Sequence, residues 1–297
     1  MSQGKENSSA FVEGGFGKII IRIWGETHAY MGARQIGDIR NELAFMNVCK
    51  QQNIPVPKLY SSKNNTLYET QQGQTFAVMS YIEGASPHSF TLDMVRQVAK
   101  TMATMHLIGK DFSFPESRSW PGTAIEMTND RIEQFQSSVE DSDIKSYSLL
   151  QQTIDTFETR LAHTNLSSIP QGVIHGDIMH ENMKFDHGTL NGIFDFDDCR
   201  KSYFIEDITK TFLFDFESAK ESLFGQDGLN VQYFLEEYQS VRKLSDSEKR
   251  ALPMFFTARF LYQATVYAIK ITQGRSEYQT KLDTLVDRYE RHRQFFI

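Results

Sequence analysis

The stretch from His175 to Cys199 constrains this chain more than any other part of it. It reads His-Gly-Asp-Ile-Met-His-Glu-Asn-Met-Lys-Phe-Asp-His-Gly-Thr-Leu-Asn-Gly-Ile-Phe-Asp-Phe-Asp-Asp-Cys. Met183 to Phe185 and Leu190 to Phe194 are short β pieces turned at His187-Gly188. Asp177 falls in the loop after Val173-Ile174, Asn182 directly before the first β piece, and Asp195 directly after the second. A carboxylate in such a loop is placed to orient a hydroxyl and take its proton. Asn182 offers a neutral amide oxygen and Asp195 a charged one, both hard ligands suited to magnesium. Ile193 and Phe194 put Asp195 at the end of a buried strand, which fixes it. The plain alternative is a hairpin whose acids are merely solvated.

The totals narrow the setting. A chain of 297 residues, 40% hydrophobic and 23% charged, has the composition of an ordinary globular protein with a sizeable core. A net charge of −7 and a pI near 5.7 argue against a nucleic-acid partner, which needs a basic surface. No apolar run is long enough to span a membrane. The first seven residues lack the apolar centre of a signal peptide, so a cytoplasmic location is expected. Cys49 and Cys199 form no metal-ligand pattern and are expected to be reduced and structural.

Along the chain, residues 1–82 read as a small α/β lobe. Ser9 to Val12 and the β-branched run from Lys18 to Trp24 pair around the glycine-rich Glu13 to Gly17, for which a plain turn fits better than a phosphate loop. Ile39, Leu43, Met46 and Cys49 recur at helical spacing, predicting a helix from Ile36 to Gln52 that Asn53 and the Pro55-Val56-Pro57 exit close. Leu67 to Thr70 and Thr75 to Met79 suit two further antiparallel strands. Residues 83–297 read as a mostly helical lobe. Helices are predicted at Thr91 to Ile108, through Leu149 to Leu161, and around Val231 to Tyr238, Met254 to Ile269 and Leu282 to Tyr289.

His175-Gly176-Asp177 with Asn182, followed by Phe194-Asp195-Phe196-Asp197-Asp198, resembles the aminoglycoside phosphotransferase and choline kinase family. The resemblance implies an α+β, bilobal protein-kinase-like fold, with a small antiparallel sheet and one main helix in the N-lobe. It also implies transfer of the γ-phosphate of ATP, with magnesium, to a hydroxyl of a small molecule: an aminoglycoside-like antibiotic, an amino alcohol or a related metabolite. By the same resemblance Asp177 is the catalytic base and Asn182 and Asp195 hold the metal. His175 and Asp207 then support the site structurally, and His106 packs beneath it.

In the smaller lobe the resemblance makes Arg22, where many kinases carry lysine, the residue that grips phosphate with Glu42 as its partner. Gly4 to Ser9 resembles the nucleotide loop, where Ser8 and Ser9 would meet phosphate, with the family's first strand short or missing. Met79, Ser80 and Ile82 resemble the strand and hinge that hold adenine. Asp197 and Asp198 are open among binding an ammonium-bearing substrate, a second metal or nothing, and a structural, loop-bracing role fits them slightly better. Arg259, Tyr262 and Tyr267 fit core packing better than an acceptor pocket.

The expectation is thus an ATP-dependent kinase of small molecules, with no nucleic-acid or membrane partner and with monomer and homodimer both open. Two rivals share the fold. A nucleotide-binding pseudokinase is suggested by the short first strand and by Arg22, and a protein serine/threonine kinase is disfavoured by the absence of an Asp-Phe-Gly to Ala-Pro-Glu segment.

Overall fold

The structure is a computed structural model, and it describes residues 2–3, 7–28, 32–116, 122–140, 146–214 and 229–293. Strand β1 (Ser2–Gln3) pairs with β2 (Asn7–Gly14), which forms a hairpin with β3 (Gly17–Trp24). The tip needs a left-handed residue, supplied by Gly17 at φ 94°. Among the described residues β1 pairs Ser2 with Ser9 and Gln3 with Ser8. After the minor strands β4 (Thr27–His28) and β5 (Gly32–Ala33), helix α1 spans Ile36–Gln51. The Asp38 carboxylate accepts from the Gln35 N–H at its start. At its end Asn53 turns left-handed at φ 61° and buried Ile54 follows, the expected helix stop.

Strands β6 (Leu59–Tyr60), β7 (Glu69–Gln71) and β8 (Gln74–Ser80) complete an antiparallel sheet in the order β1-β2-β3-β8-β6, with β7 also on β8. Ser9, Arg22 and Ala77 are successive cross-strand neighbours, so they share one face with Met79. Ser8, paired with Ile23, lies on the other face.

The remainder is mainly helical: α2 (Leu92–Asp111), α3 (Ala124–Ser138), α4 (Tyr147–Ala162), α5 (Ile205–Phe214), α6 (Leu229–Gln239), α7 (Asp246–Thr272) and α8 (Glu277–His292). Helix α3 was not expected. Helix α7 begins eight residues before the predicted start at Met254 and carries Pro253 within it. The core of this helical part is aromatic: Phe212, Phe234, Phe255, Phe256 and Phe260 are fully buried. Tyr262, Tyr267 and Arg259 are buried there too, as core packing requires.

Four short strands in this part position the loops that matter. Strand β9 (Gln171–Ile174) pairs with β12 (Arg200–Tyr203), and β10 (Met183–Asp186) with β11 (Thr189–Ile193). The loop 175–182 joins β9 to β10, and the segment 194–199 joins β11 to β12. Ile174 is opposite Arg200 and Met183 is opposite Ile193. Both connections are therefore pinned at each end to the other's flanking strands, and they must run side by side.

Candidate active site

Asp177, Asn182 and Asp195 stand on those two adjoining connections. The Asn182 amide donates to Asp177 Oδ2 at 2.6 Å and to the Asp177 carbonyl oxygen at 3.0 Å. Two acceptors on one side require the amide NH₂ to face them, so Asn182 Oδ1 is directed away from Asp177. The Asn182 carbonyl accepts from the Phe194 N–H at 3.0 Å, which brings the residue before Asp195 against it. Asp195 itself is left-handed, at φ 67°, a conformation uncommon outside glycine but better tolerated by Asp and Asn than by most residues. That turn keeps its carboxylate partly exposed while Phe196, next in sequence, is buried between His175 and Phe45.

Gly176 is left-handed at φ 82°, and a β-carbon there would stand 2.3 Å from the Asp198 carbonyl oxygen. Only glycine lets the two connections approach so closely. Asp207 holds the loop from below, accepting from the backbone N–H groups of His175 at 3.0 Å and Gly176 at 2.7 Å. It also pairs with His106 Nε2 at 3.0 Å. Burial alone pushes the Asp207 carboxyl up, but the hydrogen bond from His106 and the backbone donor of Gly176 help to outweigh it, and the group is held below its ordinary value. His175 Nδ1 accepts from the Asp177 N–H at 3.1 Å, and burial lowers the ring's pKa, so the imidazole is neutral. A ring buried in this way, and used to accept a backbone hydrogen, is part of the loop's scaffold.

Burial pushes the Asp177 carboxyl up, and a lysine opposes it. Lys210, on α5, places its ammonium 2.6 Å from Asp177 Oδ1 and 2.9 Å from Asp198 Oδ2. Sequence reasoning missed this residue. The available signal was its spacing, since Lys210 and Thr211 fall on the same face of α5 as Asp207.

From the sheet, Arg22 donates to Asp195 Oδ1 at 2.8 Å. Burial would lower the pKa of its guanidinium, but Asp195, Glu42 and Asp197 raise it, so it is fully charged. Its Nε lies 3.7 Å from Glu42 Oε1, an ion pair too long for a hydrogen bond. Glu42 Oε2 instead accepts from the Trp24 indole at 2.9 Å. The expected Arg22–Glu42 couple thus meets, with Arg22 leaning toward the acid of the second connection. Arg34, also missed, forms a two-pronged pair with Asp197 at 2.8 and 3.1 Å, and the Asn7 amide joins it at 2.6 Å. Asp197 and Asp198 are therefore braced by cations. Glu181 is exposed.

Of the expected nucleotide contacts, Gly4 to Glu6 lie outside the described residues. Ser9 stands beside Arg22 on the inner face of the sheet, and Ser8 is on the outer face. Met79 is buried on the inner face. The Ser80 N–H donates to the Lys58 carbonyl at 2.8 Å, which leaves its carbonyl as the group able to meet a ligand. The Ile82 N–H enters no backbone hydrogen bond among the described residues.

A divalent ion fits this donor set. Among the described residues no three His, Cys, Asp or Glu side chains gather as an all-protein metal cage does. An amide oxygen directed away from its neighbour and one partly exposed carboxylate suit a magnesium-type ion, which completes its shell with water and phosphate oxygens.

Among sequence relatives, a homoserine kinase of Bradyrhizobium sp. (strain ORS 278) is 24% identical over 284 residues, covering 92% of this chain and 81% of that protein. Among solved structures, an amicoumacin kinase in complex with AMP-PNP and Ca²⁺ superposes with a TM-score of 0.69 at 16% identity, over 95% of this chain and 86% of that one. A microcompartment-associated aminopropanol kinase gives 0.68 at 20% identity, over 97% and 91%. These likenesses show the bilobal kinase-like fold. The model of the phosphotransferase enzyme family matches residues 2–244, and with that span, which takes in the sheet, both connections and α5, the chain belongs to this family.

Proposed function

We propose that this phosphotransferase moves the γ-phosphate of ATP to the hydroxyl of a small amine-bearing molecule, with Asp177 as the base. The observation that carries the reading is the bonding of Asp177 to Asn182 at 2.6 Å, beside a connection that opens with Phe194 and a partly exposed Asp195. Asp177 would orient the acceptor hydroxyl and take its proton as the phosphoryl group departs from ADP. Asn182 and Asp195 would hold magnesium, which when bound neutralises charge on the phosphate oxygens. Arg22, steadied by Glu42, would turn from Asp195 to the nucleotide phosphates, with Ser9 and Ser8 near the same strand. The Ser80 carbonyl and the Ile82 N–H would meet adenine against Met79. The lobes would divide near residue 82, and a cytoplasmic place suits ATP use. An amine-bearing acceptor is supported by the relatives, which are named for homoserine and aminopropanol.

The test is ADP release from ATP and magnesium with homoserine, 1-amino-2-propanol, choline and an aminoglycoside as acceptors. Turnover with at least one of them is expected, falling about 10²–10⁴-fold in D177N and to background in D195A. Full activity in either variant would refute these assignments.

A further inference from the structure

We infer that Lys210 is a positioning residue for phosphoryl transfer: from α5, its ammonium fixes the rotation of the Asp177 carboxylate and ties it to the neighbouring connection. The inference rests on Asp177 being the base.

The loop from His175 to Asn182 contains no lysine or arginine, so a cation beside Asp177 must come from elsewhere in the chain. Helix α5 supplies it. Lys210 is buried and reaches three oxygens: Asp177 Oδ1 at 2.6 Å, the Gly176 carbonyl at 2.5 Å and Asp198 Oδ2 at 2.9 Å. Its neighbours on the same face act on the same loop. Asp207 takes the N–H groups of His175 and Gly176, and the Thr211 hydroxyl donates to the Ile178 carbonyl at 2.5 Å. The loop backbone around the base is therefore held from one helix face, by an acid, a cation and a hydroxyl.

The side chain of Asp177 is gripped from both ends. Oδ1 meets Lys210 and Oδ2 meets the Asn182 amide at 2.6 Å. A carboxylate held at both oxygens cannot spin about its terminal bond, so the lone pairs left over point in set directions. Asp198, the second acid on the ammonium, belongs to the other connection, so Lys210 also joins the two segments that must stay in register. Removing it frees the carboxylate to turn. A displacement of about 1 Å in a group that must meet a reacting hydroxyl costs on the order of 10²-fold in rate.

The experiment compares wild type, K210M, K210R and D177N as full-length proteins. ADP release is measured with whichever of homoserine, 1-amino-2-propanol, choline and an aminoglycoside turns over. Rates are normalised to the stoichiometry of a fluorescent ATP analogue bound, so that misfolded protein does not count. For K210M, kcat should fall about 30- to 100-fold with the KM for ATP within about twofold. K210R, which retains charge and donors, should recover at least a third of that loss on a logarithmic scale. Should K210M not fold, K210R and K210Q carry the comparison, and K210Q, a donor without charge, should fall between K210R and D177N. Wild-type kcat in K210M beside an inactive D177N overturns the inference, as does a loss confined to the KM for ATP. An active D177N, or no turnover with any acceptor in the wild type, sinks the reading of Asp177 and this inference with it.

Discussion

Glu42 is an acid in a place where water cannot help it. It is buried on α1, and burial pushes its carboxyl up to about 7, while the Arg22 charge pulls the other way. One oxygen faces Arg22 Nε at 3.7 Å, and among the described residues neither of those two atoms has a hydrogen-bond partner. The other oxygen depends on the Trp24 indole, at 2.9 Å. Phenylalanine at position 24 would keep most of the apolar contact and remove the donor. A buried acceptor left unsatisfied costs about 1–3 kcal/mol, more if charged. W24F should therefore lose about that much stability in urea unfolding at pH 8. A smaller loss is expected at pH 5.5, where the carboxyl is protonated and less in need of a donor. Equal stability of W24F and wild type at pH 8 would show that the indole bond carries nothing.

At the scale of elements, what the sequence revealed and what it concealed follow from range. Local signals were legible: the β-branched run of β3, the left-handed Asn53 that closes α1, and the His187-Gly188 turn, at φ 46° and 80°. Asp207 as the brace came from the family resemblance instead, since it stands 32 residues beyond His175. Two helix starts were overlooked although their capping boxes are plain in the sequence. Thr123-x-x-Glu126 opens α3, and Ser245-x-x-Glu248 opens α7, which runs on through Pro253. Cross-chain partners were out of reach. Nothing near Arg34 announces Asp197, and nothing near β9 announces its pairing with β12, because both meetings are made by the folded chain. Gly109 belongs with these. In helical text it is only a weak residue, yet a β-carbon there would sit 1.9 Å from the Val173 carbonyl oxygen, where α2 lies against β9. G109A should force the two apart and cost about 1–3 kcal/mol by overpacking. Since β9 runs straight into the loop of Asp177, activity should fall more steeply than stability. An unchanged melting temperature with full turnover would show that α2 and β9 yield freely.

Across the whole molecule, a buried polar chain joins that loop to the start of α7. Asp207 meets His106, His106 Nδ1 meets the Tyr238 hydroxyl at 2.6 Å, and Arg242 donates to the same hydroxyl at 3.0 Å. Arg242 also donates to Glu248 at 2.8 Å, the residue that caps the start of α7. Helices α2, α5, α6 and α7 thus share one network beneath the site, and burial favours the neutral form of His106 within it. Burial lowers the pKa of that imidazole, though the Asp207 hydrogen bond resists the shift. An unfolded histidine binds its proton near 6.5 and the folded one only at lower pH. The unfolded chain therefore takes up the proton first, and the contribution of His106 to stability is present above pH 6.5 and lost as pH falls below it. Glu42, whose carboxyl is raised to about 7, works in the opposite direction over part of the same range, so the net pH dependence of the wild type is a competition. A variant difference separates the terms. H106Q keeps an N–H for Asp207 and does not titrate, so the stability of wild type minus that of H106Q should shrink as pH goes from 7.5 to 5.5. The slope should reach at most about 1.4 kcal/mol per pH unit. Parallel stability curves for the two proteins across that interval would mean that His106 titrates alike in the folded and unfolded chain, and that the network does not need it neutral.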